Sequence, residues 1–479
     1  MALACRAFLD PALDVLWFDL LEPDPLIQVL PRSKRGEKNR KSFCLIAAPT
    51  DEEWERFNYY ARRVHELYYS SSGCDDVWCN RPRIGWRSIL RFHPGGPLLP
   101  NLRSFESDDF EVSKYYHLFV HSPLCHLVVD YWVPDEQTRL IRALPKCKKT
   151  LETLMITTST RSENDPDIDR RLSGAMSQME VLVNVDVKIL LPQAVSHLAT
   201  LSSLRELSFT ISPEDNASTS KLPFHALEQL SLETHSSDVA PMRNILQRLA
   251  APFLQDLSLY YNILGAHDWR GEHPNAAYVR AVVSAIPPLE QLQSFAFGVR
   301  SYNFTPSAVA ANVLHITDIS PLLTHRSLKC VVLNSLPISL QAVDIEPIAH
   351  AWPHATSIKI GESAPMFPAE LQLYDLLPLA QLCPSLTSLS LPLSIPASFS
   401  AQDRPRFGTS RSPLWTLQTG STDIAFSAEA AVFLACVFPK ATLHAHRCES
   451  ERDDVRRINE TKTVFVKAME EELDARRDR

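Results

Sequence analysis

Residues 204–210 read LRELSFT, residues 227–233 read LEQLSLE, and residues 254–264 read LQDLSLYYNIL. Each stretch begins with a leucine, has a second leucine three positions later and a third apolar residue two positions after that. The last two apolar residues of each triad point to one face of a short strand, and the polar residues beside them point to the other. One such strand cannot bury its apolar face alone, so we expect these segments to stack on one another.

The third stretch extends the pattern. It continues to Asn262 and Leu264 and so completes L-x-x-L-x-L-x-x-N-x-L, the consensus of the leucine-rich repeat. The two earlier stretches carry Ser212 and His235 at the asparagine position, so we expect no continuous asparagine ladder. Apolar triads begin at twelve positions: Leu102, Leu124, Leu151, Met179, Leu204, Leu227, Leu254, Leu292, Leu328, Ala355, Leu386 and Leu414.

Helical patterns lie between the triads. Met242, Ile245, Leu246 and Leu249 follow the i, i+3, i+4, i+7 spacing of one helix face. Strand and helix alternating at a repeated interval indicate parallel strands backed by helices. We therefore predict an α/β leucine-rich-repeat solenoid, with parallel strands on one face and helices on the other, and a small helical cap at its N-terminus.

A second motif lies in residues 1–31, within CRAFLDPALDVLW. It resembles the second half of the F-box, V-C-R-x-W/F followed by a short gap and L-W, and its phrasing is similar to the fungal F-box/leucine-rich-repeat protein family. F-box proteins bind a Skp-type adaptor of a cullin-based ubiquitin ligase through this motif. The resemblance implies adaptor contacts from the residues that match: Cys5, Phe8, Leu13, Leu16 and Trp17.

The family motif normally opens with a Leu-Pro pair and an acidic helix before the cysteine. The printed sequence begins after that point, so we expect only the second half of the motif here. Two interpretations follow. In the first, the chain is a substrate-recognition subunit whose partners are a Skp-type adaptor, a cullin scaffold and an unknown protein substrate. In the second, it is a leucine-rich-repeat interaction scaffold without ubiquitin-ligase function, and the N-terminal helix is only a cap.

The sequence divides into four segments. Residues 1–31 are the partial F-box-like segment, 32–97 a basic loop and a connecting helix, 98–445 an irregular leucine-rich-repeat solenoid, and 446–479 a charged C-terminal cap or tail. Thr50 and Glu53 form a capping-box signature at the start of the connecting helix. We expect one apolar stripe along that helix, formed by Trp54, Phe57, Ala61, Val64 and Leu67 or Tyr68.

Composition narrows the functional classes. The net charge of −8 gives no general reason to expect nucleic acid or an acidic membrane as a partner. The sequence has no run of 18 apolar residues, so we expect no membrane span. Charged residues interrupt the apolar N-terminus, which argues against a secretory signal: Arg6, Asp10 and Asp14. The ten cysteines are scattered singly. We therefore expect a cytoplasmic or nuclear protein with reduced thiols.

Catalytic motifs are missing from the sequence. It contains no G-x-S-x-G, H-E-x-x-H, G-x-x-x-x-G-K-[ST] or G-x-G-x-x-G pattern. Cys74 and Cys79, the closest cysteine pair, have only distant histidines, which is a weak zinc pattern. We expect no enzyme activity, no metal and no cofactor. An enzyme with dispersed catalytic residues stays open as a third class.

The concave strand face is the expected target-binding surface. In the three clearest repeats the residues between the triad positions point to that face. The small serines of the central row would let a ligand approach the backbone, and the acids beside them favour a basic or neutral protein segment over nucleic acid. The outward candidates are Glu206, Ser208 and Thr210, then Gln229, Ser231 and Glu233, then Asp256, Ser258 and Tyr260.

Overall fold

In the computed structural model, the chain forms helices and strands that belong to two units. The chain divides into unit 1, Met1–Thr210 with Phe224–Ala226, and unit 2, Ile211–Pro223 with Leu227–Arg479. The described residues are 6–21, 24–31, 33–35, 42–45, 47–69, 83–84, 89, 91–108, 113–129, 134–157, 166–212, 220–262, 276–300, 313–361, 370–395, 412–419, 424–445 and 449–477.

Unit 1 contains one main sheet and a small three-stranded sheet. The main sheet has the order β1-β4-β6-β7-β8-β9-β10, and the strand pairs from β1 to β9 are all parallel. The small sheet has the order β2-β3-β5. The strands are β1 (Asp19–Leu20), β2 (Ser33–Arg35), β3 (Ser42–Leu45), β4 (Glu66–Tyr69), β5 (Arg83–Ile84), β6 (Ser104–Ser107), β7 (His126–Val129), β8 (Thr153–Ile156), β9 (Asn184–Leu190) and β10 (Glu206–Ile211).

The helices of unit 1 alternate with these strands. They are α1 (Leu9–Phe18), α2 (Asp24–Gln28), α3 (Asp51–Ala61), α4 (Pro134–Ala143), α5 (Pro166–Met176) and α6 (Pro192–Thr200), with short 3-10 turns at Arg6–Phe8, Ser113–Leu118 and Leu144–Cys147.

Unit 2 repeats the same alternation. Its main sheet has the order β12-β14-β15-β16-β17-β18-β19-β20, and every neighbouring pair is parallel. Two short strands, β11 and β13, pair separately. The strands are β11 (Leu222–Pro223), β12 (Gln229–Thr234), β13 (Leu249–Ala250), β14 (Asp256–Asn262), β15 (Ser294–Arg300), β16 (Cys330–Asn334), β17 (Ser357–Ile360), β18 (Ser388–Leu391), β19 (Thr416–Thr419) and β20 (Thr442–Ala445).

Seven α-helices are described in unit 2. They are α7 (Ala240–Arg248), α8 (Ala276–Ser284), α9 (Ile316–Ile319), α10 (Ala342–Ala351), α11 (Leu377–Leu382), α12 (Ala428–Val437) and α13 (Glu449–Arg477), with 3-10 turns at Ser320–Thr324 and Leu373–Leu376. Over the described ranges, no helix is long and apolar enough to cross a membrane.

The predicted triads form the core of both units. In β12 and β14, for example, Leu230, Leu232, Leu257 and Leu259 are all buried, whereas the residues between them reach the surface. Each fully buried leucine stabilises the fold by about 1.5–3 kcal/mol. The α/β leucine-rich-repeat prediction is confirmed: the strands pair in parallel and helices separate them along the chain.

One triad is displaced from its predicted position. Leu154 of β8 pairs with Val185 of β9, so the repeat equivalent to the one at Leu151 begins at Leu182 and not at Met179. Met179 is nevertheless fully buried, in the turn after α5. The prediction of Met179 was wrong because a buried methionine just before a strand has the same spacing pattern as the first triad residue.

The main sheet begins before residue 98, where we expected the repeats to start. The capping box is confirmed, with Glu53 N–H donating to Thr50 Oγ1 over 3.3 Å and Thr50 N–H donating to Glu53 Oε2 over 2.7 Å. However, α3 ends at Ala61, and Leu67 lies in β4, which pairs in parallel with both β1 and β6. The single stripe predicted from Trp54 to Tyr68 therefore covers a helix and then a strand. Within the basic segment expected to be a loop, β2 pairs antiparallel with β3.

Hydroxyl side chains at the start of some triads donate hydrogen bonds to the preceding repeat. In unit 1, Thr150 Oγ1 donates to the Leu124 carbonyl over 2.9 Å, and Ser203 Oγ donates to the Leu182 carbonyl over 2.7 Å. Each donor immediately precedes the first triad residue of its own repeat, and each acceptor is the first triad residue of the preceding repeat. In unit 2, Ser327 Oγ makes the equivalent bond to Leu292 over 2.8 Å.

The last strand of unit 2 has a polar cap on its outer edge. Asn459 of α13 accepts a hydrogen bond from Leu443 N–H over 3.0 Å and donates one to the Leu443 carbonyl over 2.9 Å. Lys462, one turn further along α13, donates to the carbonyls of Pro439 and Ala441. The side chains thus satisfy backbone groups that an exposed edge strand would offer to another chain.

Candidate functional site

Helix α1 is attached to unit 1 through its acidic residues. Arg63, which is buried just after α3, bonds the carboxylates of both Asp10 and Asp14 and also the Asp10 carbonyl. The Tyr59 hydroxyl donates to Asp10 Oδ1 over 2.7 Å. The guanidinium of Arg63 lies 4.6 Å from the centre of the Tyr59 ring. We call Arg63, Tyr59, Asp10 and Asp14 the Arg63 clamp.

The charges of the Arg63 clamp are set by these contacts. Hydrogen bonds from Tyr59 and then Arg63 lower the pKa of Asp10, so its carboxylate stays ionised. The same bond raises the pKa of Tyr59, because Tyr59 must keep its proton in order to donate it. At neutral pH the Asp10 carboxylate therefore stays ionised and paired with Arg63.

The opposite side of α1 is apolar and faces solvent. No residue of α1 is buried. Leu16 has an exposed fraction of 67%, Val15 of 80%, and Phe8 of 58%. Large contiguous exposed apolar areas mark interaction sites in soluble proteins. We call the following residues the α1 surface: Phe8, Leu9, Val15, Leu16, Phe18 and Leu21.

The residues predicted to contact an adaptor do not share one environment. Phe8 and Leu16 belong to the α1 surface. Leu13 and Trp17 are half-buried, and the Trp17 ring lies 4.8 Å from the ring of Tyr60 in α3. Cys5 lies outside the described residues. The structure therefore exposes two of the five predicted positions and places two others partly against unit 1.

Sequence reasoning missed three features of this site. Val15 and Leu21 are exposed apolar residues that the F-box pattern does not include. The signal for Val15 was present, because an apolar residue on the solvent side of a helix departs from a simple amphipathic pattern. Leu21 follows β1 and had no such helical signal. Arg63 had no comparable signal, because its partners are 49 and 53 positions away in the chain.

The strand face of unit 1 carries two of the predicted target-binding residues. Glu206 and Ser208 of β10 are half-buried and alternate with buried Leu207 and Phe209. Thr210 was also predicted to be outward, but it is buried. The strict alternation of β10 ends there, since Phe209, Thr210 and Ile211 are buried in succession.

The strand face of unit 2 carries the other predicted residues in three registered rows. Gln229 is paired with Asp256, Ser231 with Ser258, and Glu233 with Tyr260. The rows continue into β15 at Ser294, Ala296 and Gly298. Because side chains two positions apart share a face, these residues lie together on one side of the sheet. All of the outward residues named in β12 and β14 reach the surface, as predicted.

Asn262 does not act as a ladder residue. It is the last residue of β14, and its amide Nδ2 donates to Glu233 Oε1 over 2.8 Å. His235 Nδ1 lies 3.2 Å from the Asn262 carbonyl oxygen, and His235 Nε2 lies 3.8 Å from Glu233 Oε1. The asparagine of the consensus thus fixes an acidic side chain on the strand face.

A metal centre is not found among the described residues. Within the described part of the chain, no group of three or more His, Cys, Asp or Glu side chains could hold a metal ion. Cys74 and Cys79, which gave the weak zinc pattern, lie outside the described residues.

Comparisons with known proteins match solved structures at low sequence identity. No family model matches the sequence, and no curated protein matches it. One similar solved structure is an internalin (inlF) from Listeria monocytogenes, with 13% identity over 82% of this chain and 89% of the internalin chain, and a TM-score of 0.37. Another is the leucine-rich repeat-containing protein LegL7 from Legionella pneumophila, with 12% identity over 75% of this chain and 97% of that chain, and a TM-score of 0.32.

The strand pairing and the buried triads define the class of this chain: it has an α/β leucine-rich-repeat fold. Repeat folds of this kind expose an extended strand surface on which other proteins bind. The chain offers two candidate binding areas, the α1 surface and the polar strand face.

Proposed function

We propose that this chain is the substrate-recognition subunit of a cullin-based ubiquitin ligase, resembling the F-box/leucine-rich-repeat receptors. In this proposal the α1 surface binds a Skp-type adaptor, which links the chain to a cullin scaffold. The leucine-rich repeats bind the target protein. The protein acts by binding and not by catalysis, and it works in the cytoplasm or the nucleus.

The exposed α1 surface is the observation that carries this proposal. A helix that packed only as a cap would turn its apolar residues inward, yet Leu16 and Val15 are mostly exposed. The Arg63 clamp holds the other side of the helix, so the apolar residues are presented in a fixed orientation. The F-box-like residues Phe8 and Leu16 both lie on this exposed side.

One observation favours the alternative, a leucine-rich-repeat interaction scaffold without ubiquitin-ligase function. The Trp17 ring packs at a tilt of 38° against the Tyr60 ring, and Leu13 is half-buried, so part of the F-box-like pattern contributes to packing within unit 1. In that case α1 serves mainly as a cap, and the strand face alone carries the function.

Affinity purification with a matched pair of variants tests the proposal. The tagged full chain is incubated with a purified Skp-type adaptor and cullin, and the captured adaptor is quantified. We expect capture by the wild type and a loss of about tenfold or more for Leu16→Asp, because a charge would be buried in an apolar interface. Val343→Asp is the control, since Val343 is also highly exposed but lies on α10 of unit 2.

Two results would contradict the proposal: no adaptor capture by the folded wild type, or equal capture by wild type and Leu16→Asp. Either result would leave the scaffold alternative. Circular dichroism of each variant checks that the repeats remain folded.

A further inference from the structure

One side of α1 carries both the carboxylates of the Arg63 clamp and two of the predicted adaptor contacts. Asp10, Leu13, Asp14 and Trp17 follow the i, i+3, i+4, i+7 spacing of one helix face. In the structure the two carboxylates bond Arg63, and Leu13 and Trp17 are half-buried. We call these four residues of α1 the inner stripe. The attachment of α1 to unit 1 thus uses residues that the F-box resemblance assigns to a partner.

Buried polar atoms at this contact oppose the attachment. Trp17 Nε1, Arg63 Nε and His65 Nδ1 are buried, and none of these three atoms bonds any residue that the structure describes. Trp17 belongs to α1, and Arg63 holds its carboxylates. The His65 ring stacks on Phe18 at the end of α1, with 5.0 Å between the ring centres. Because a buried polar atom without a hydrogen bond is unfavourable, these atoms weaken the docked position of the helix.

The ion pairs that hold the inner stripe are exposed on their acidic side. The side chains of Asp10 and Asp14 have exposed fractions of 69% and 64%, whereas that of Arg63 is 7%. Salt screens ion pairs whose partners are exposed to solvent, and such pairs contribute little to stability. The Arg63 clamp is therefore a contact that opens more readily as the salt concentration rises.

The C-terminal end of α1 has a separate anchor. The Phe18 carbonyl accepts a hydrogen bond from His65 N–H over 2.9 Å. The next two residues form β1, which pairs with Glu66 and Leu67 of β4, and Leu20 of β1 is buried. Opening of the clamp would therefore free the inner stripe while β1 keeps the helix attached to unit 1.

We propose that the Arg63 clamp is an autoinhibitory contact, in which unit 1 and the adaptor compete for the inner stripe. This inference rests on the proposed function and names how adaptor binding at the same helix is controlled. In the docked form, the adaptor reaches only the α1 surface. In the released form, Leu13 and Trp17 are accessible as well, so the adaptor contacts more of the helix and binds more tightly. The apparent Kd for the adaptor then falls as the released fraction rises.

Clamp removal has opposite effects in two accounts of α1. If the clamp only oriented the helix, its loss would make the adaptor order a mobile segment, and the Kd would rise. If the clamp competes with the adaptor, its loss increases the released fraction, and the Kd falls. The direction of the change in Kd distinguishes the two accounts.

Titration of the purified full chain with a purified Skp-type adaptor, followed by biolayer interferometry, measures this Kd. We expect Arg63→Met to bind the adaptor about threefold or more tightly than the wild type. Asp14→Asn removes one exposed carboxylate of the clamp and keeps Arg63, so it should lower the Kd even if Arg63→Met does not fold. Raising NaCl from about 0.05 M to about 0.5 M should bring the wild-type Kd closer to that of Arg63→Met.

Arg56→Met is the matched control, because it makes the same change at an exposed position of α3 and should bind like the wild type. Unchanged or weaker adaptor binding by the folded clamp variants would overturn the inference and leave the proposed function standing. An equal gain for Arg56→Met would also overturn it, since this would show a general effect of net charge. Absence of adaptor binding by every folded form would overturn the proposed function and this inference together.

Discussion

At the residue scale, two of the buried cations, Arg63 and Lys462, have contrasting environments. Arg63 in unit 1 is paired with two carboxylates, whereas Lys462 in unit 2 donates to the backbone carbonyl oxygens of Pro439 and Ala441. The paired arginine remains charged and holds a helix in place. The lysine has a polar environment without a described carboxylate partner, so burial acts against its charge.

Removing the Arg63 clamp should release α1. No residue of α1 is fully buried, and its packing is limited to contacts such as that of the half-buried Trp17 with Tyr60, so loss of the ion pairs should loosen the helix. For Arg63→Met we expect the rate of chymotrypsin cleavage at Trp17 and Phe18 to rise by about tenfold, since cleavage follows the population of the open form. Peptide mapping by mass spectrometry measures this rate.

Arg62→Met is the matched control for the clamp. Arg62 is exposed, its guanidinium lies 4.9 Å from the centre of the Tyr59 ring, and its charge is the last of the causes that lower the pKa of Asp10. It should leave cleavage within α1 unchanged. Equal cleavage in wild type and Arg63→Met would mean that other contacts hold the helix.

Lys462 should make the stability of unit 2 depend on alkaline pH. Burial lowers the pKa of Lys462 below its usual 10.5. Between the lowered folded value and 10.5, the unfolded chain binds the proton more tightly, so the free energy of unfolding rises with pH. A comparison of the wild type with Lys462→Met cancels the effects of the other titrating groups. The Tm of the wild type minus the Tm of Lys462→Met should increase from neutral pH towards about pH 10.

Lys467→Met provides the comparison on the same helix, because Lys467 is exposed. Its Tm difference from the wild type should not change with pH. A flat pH response of the Lys462→Met difference would show that the lysine is solvated and not buried in solution.

Residue roles were predictable from sequence only where they depend on local spacing. The Thr50 capping box lies within one helical turn, and the structure confirms it. Asn262 fits a consensus position, but its partner Glu233 is 29 positions away, and that contact decides its role. The Arg63 clamp joins residues about fifty positions apart, so no local pattern could indicate it.

At the scale of elements, the alternation of buried and outward residues was the strongest signal. It fixed the strand positions, because a shift of one residue would turn every apolar side chain towards solvent. It was weaker where a strand is short or continuous with a helical spacing. The spacing predicts Leu67 on the helix stripe, but Leu67 lies in β4. The spacing also predicts Met179 as the first residue of a triad, but that repeat begins at Leu182.

Adjacent residues in β14 should respond very differently to truncation. Leu257 is fully buried, so Leu257→Ala should lower the free energy of unfolding by about 2–5 kcal/mol through lost packing and the cavity that remains. Ser258 faces outward, and Ser258→Ala should change the free energy of unfolding by no more than about 0.5 kcal/mol. Urea unfolding of both variants measures the difference. Equal losses would mean that β14 does not present Ser258 on its outward face.

At the scale of the whole molecule, the fold is a scaffold that offers more than one surface. The α1 surface is apolar and belongs to unit 1, whereas the strand face of β12 and β14 is polar and belongs to unit 2. A receptor that links a ligase to a target needs two separate binding areas of different character. These two areas have that difference in chemistry, which is why the ligase proposal accounts for more of the structure than a simple cap does.

Hydrogen–deuterium exchange with and without a purified Skp-type adaptor tests the central claim most directly. We predict slower amide exchange in residues 9–21 when the adaptor is present, because α1 is exposed in the free chain and would be covered in the complex. Exchange in the strands of unit 2, such as β14 and β16, should not change. Unchanged exchange at α1 under saturating adaptor, or protection confined to the strand face, would contradict the account.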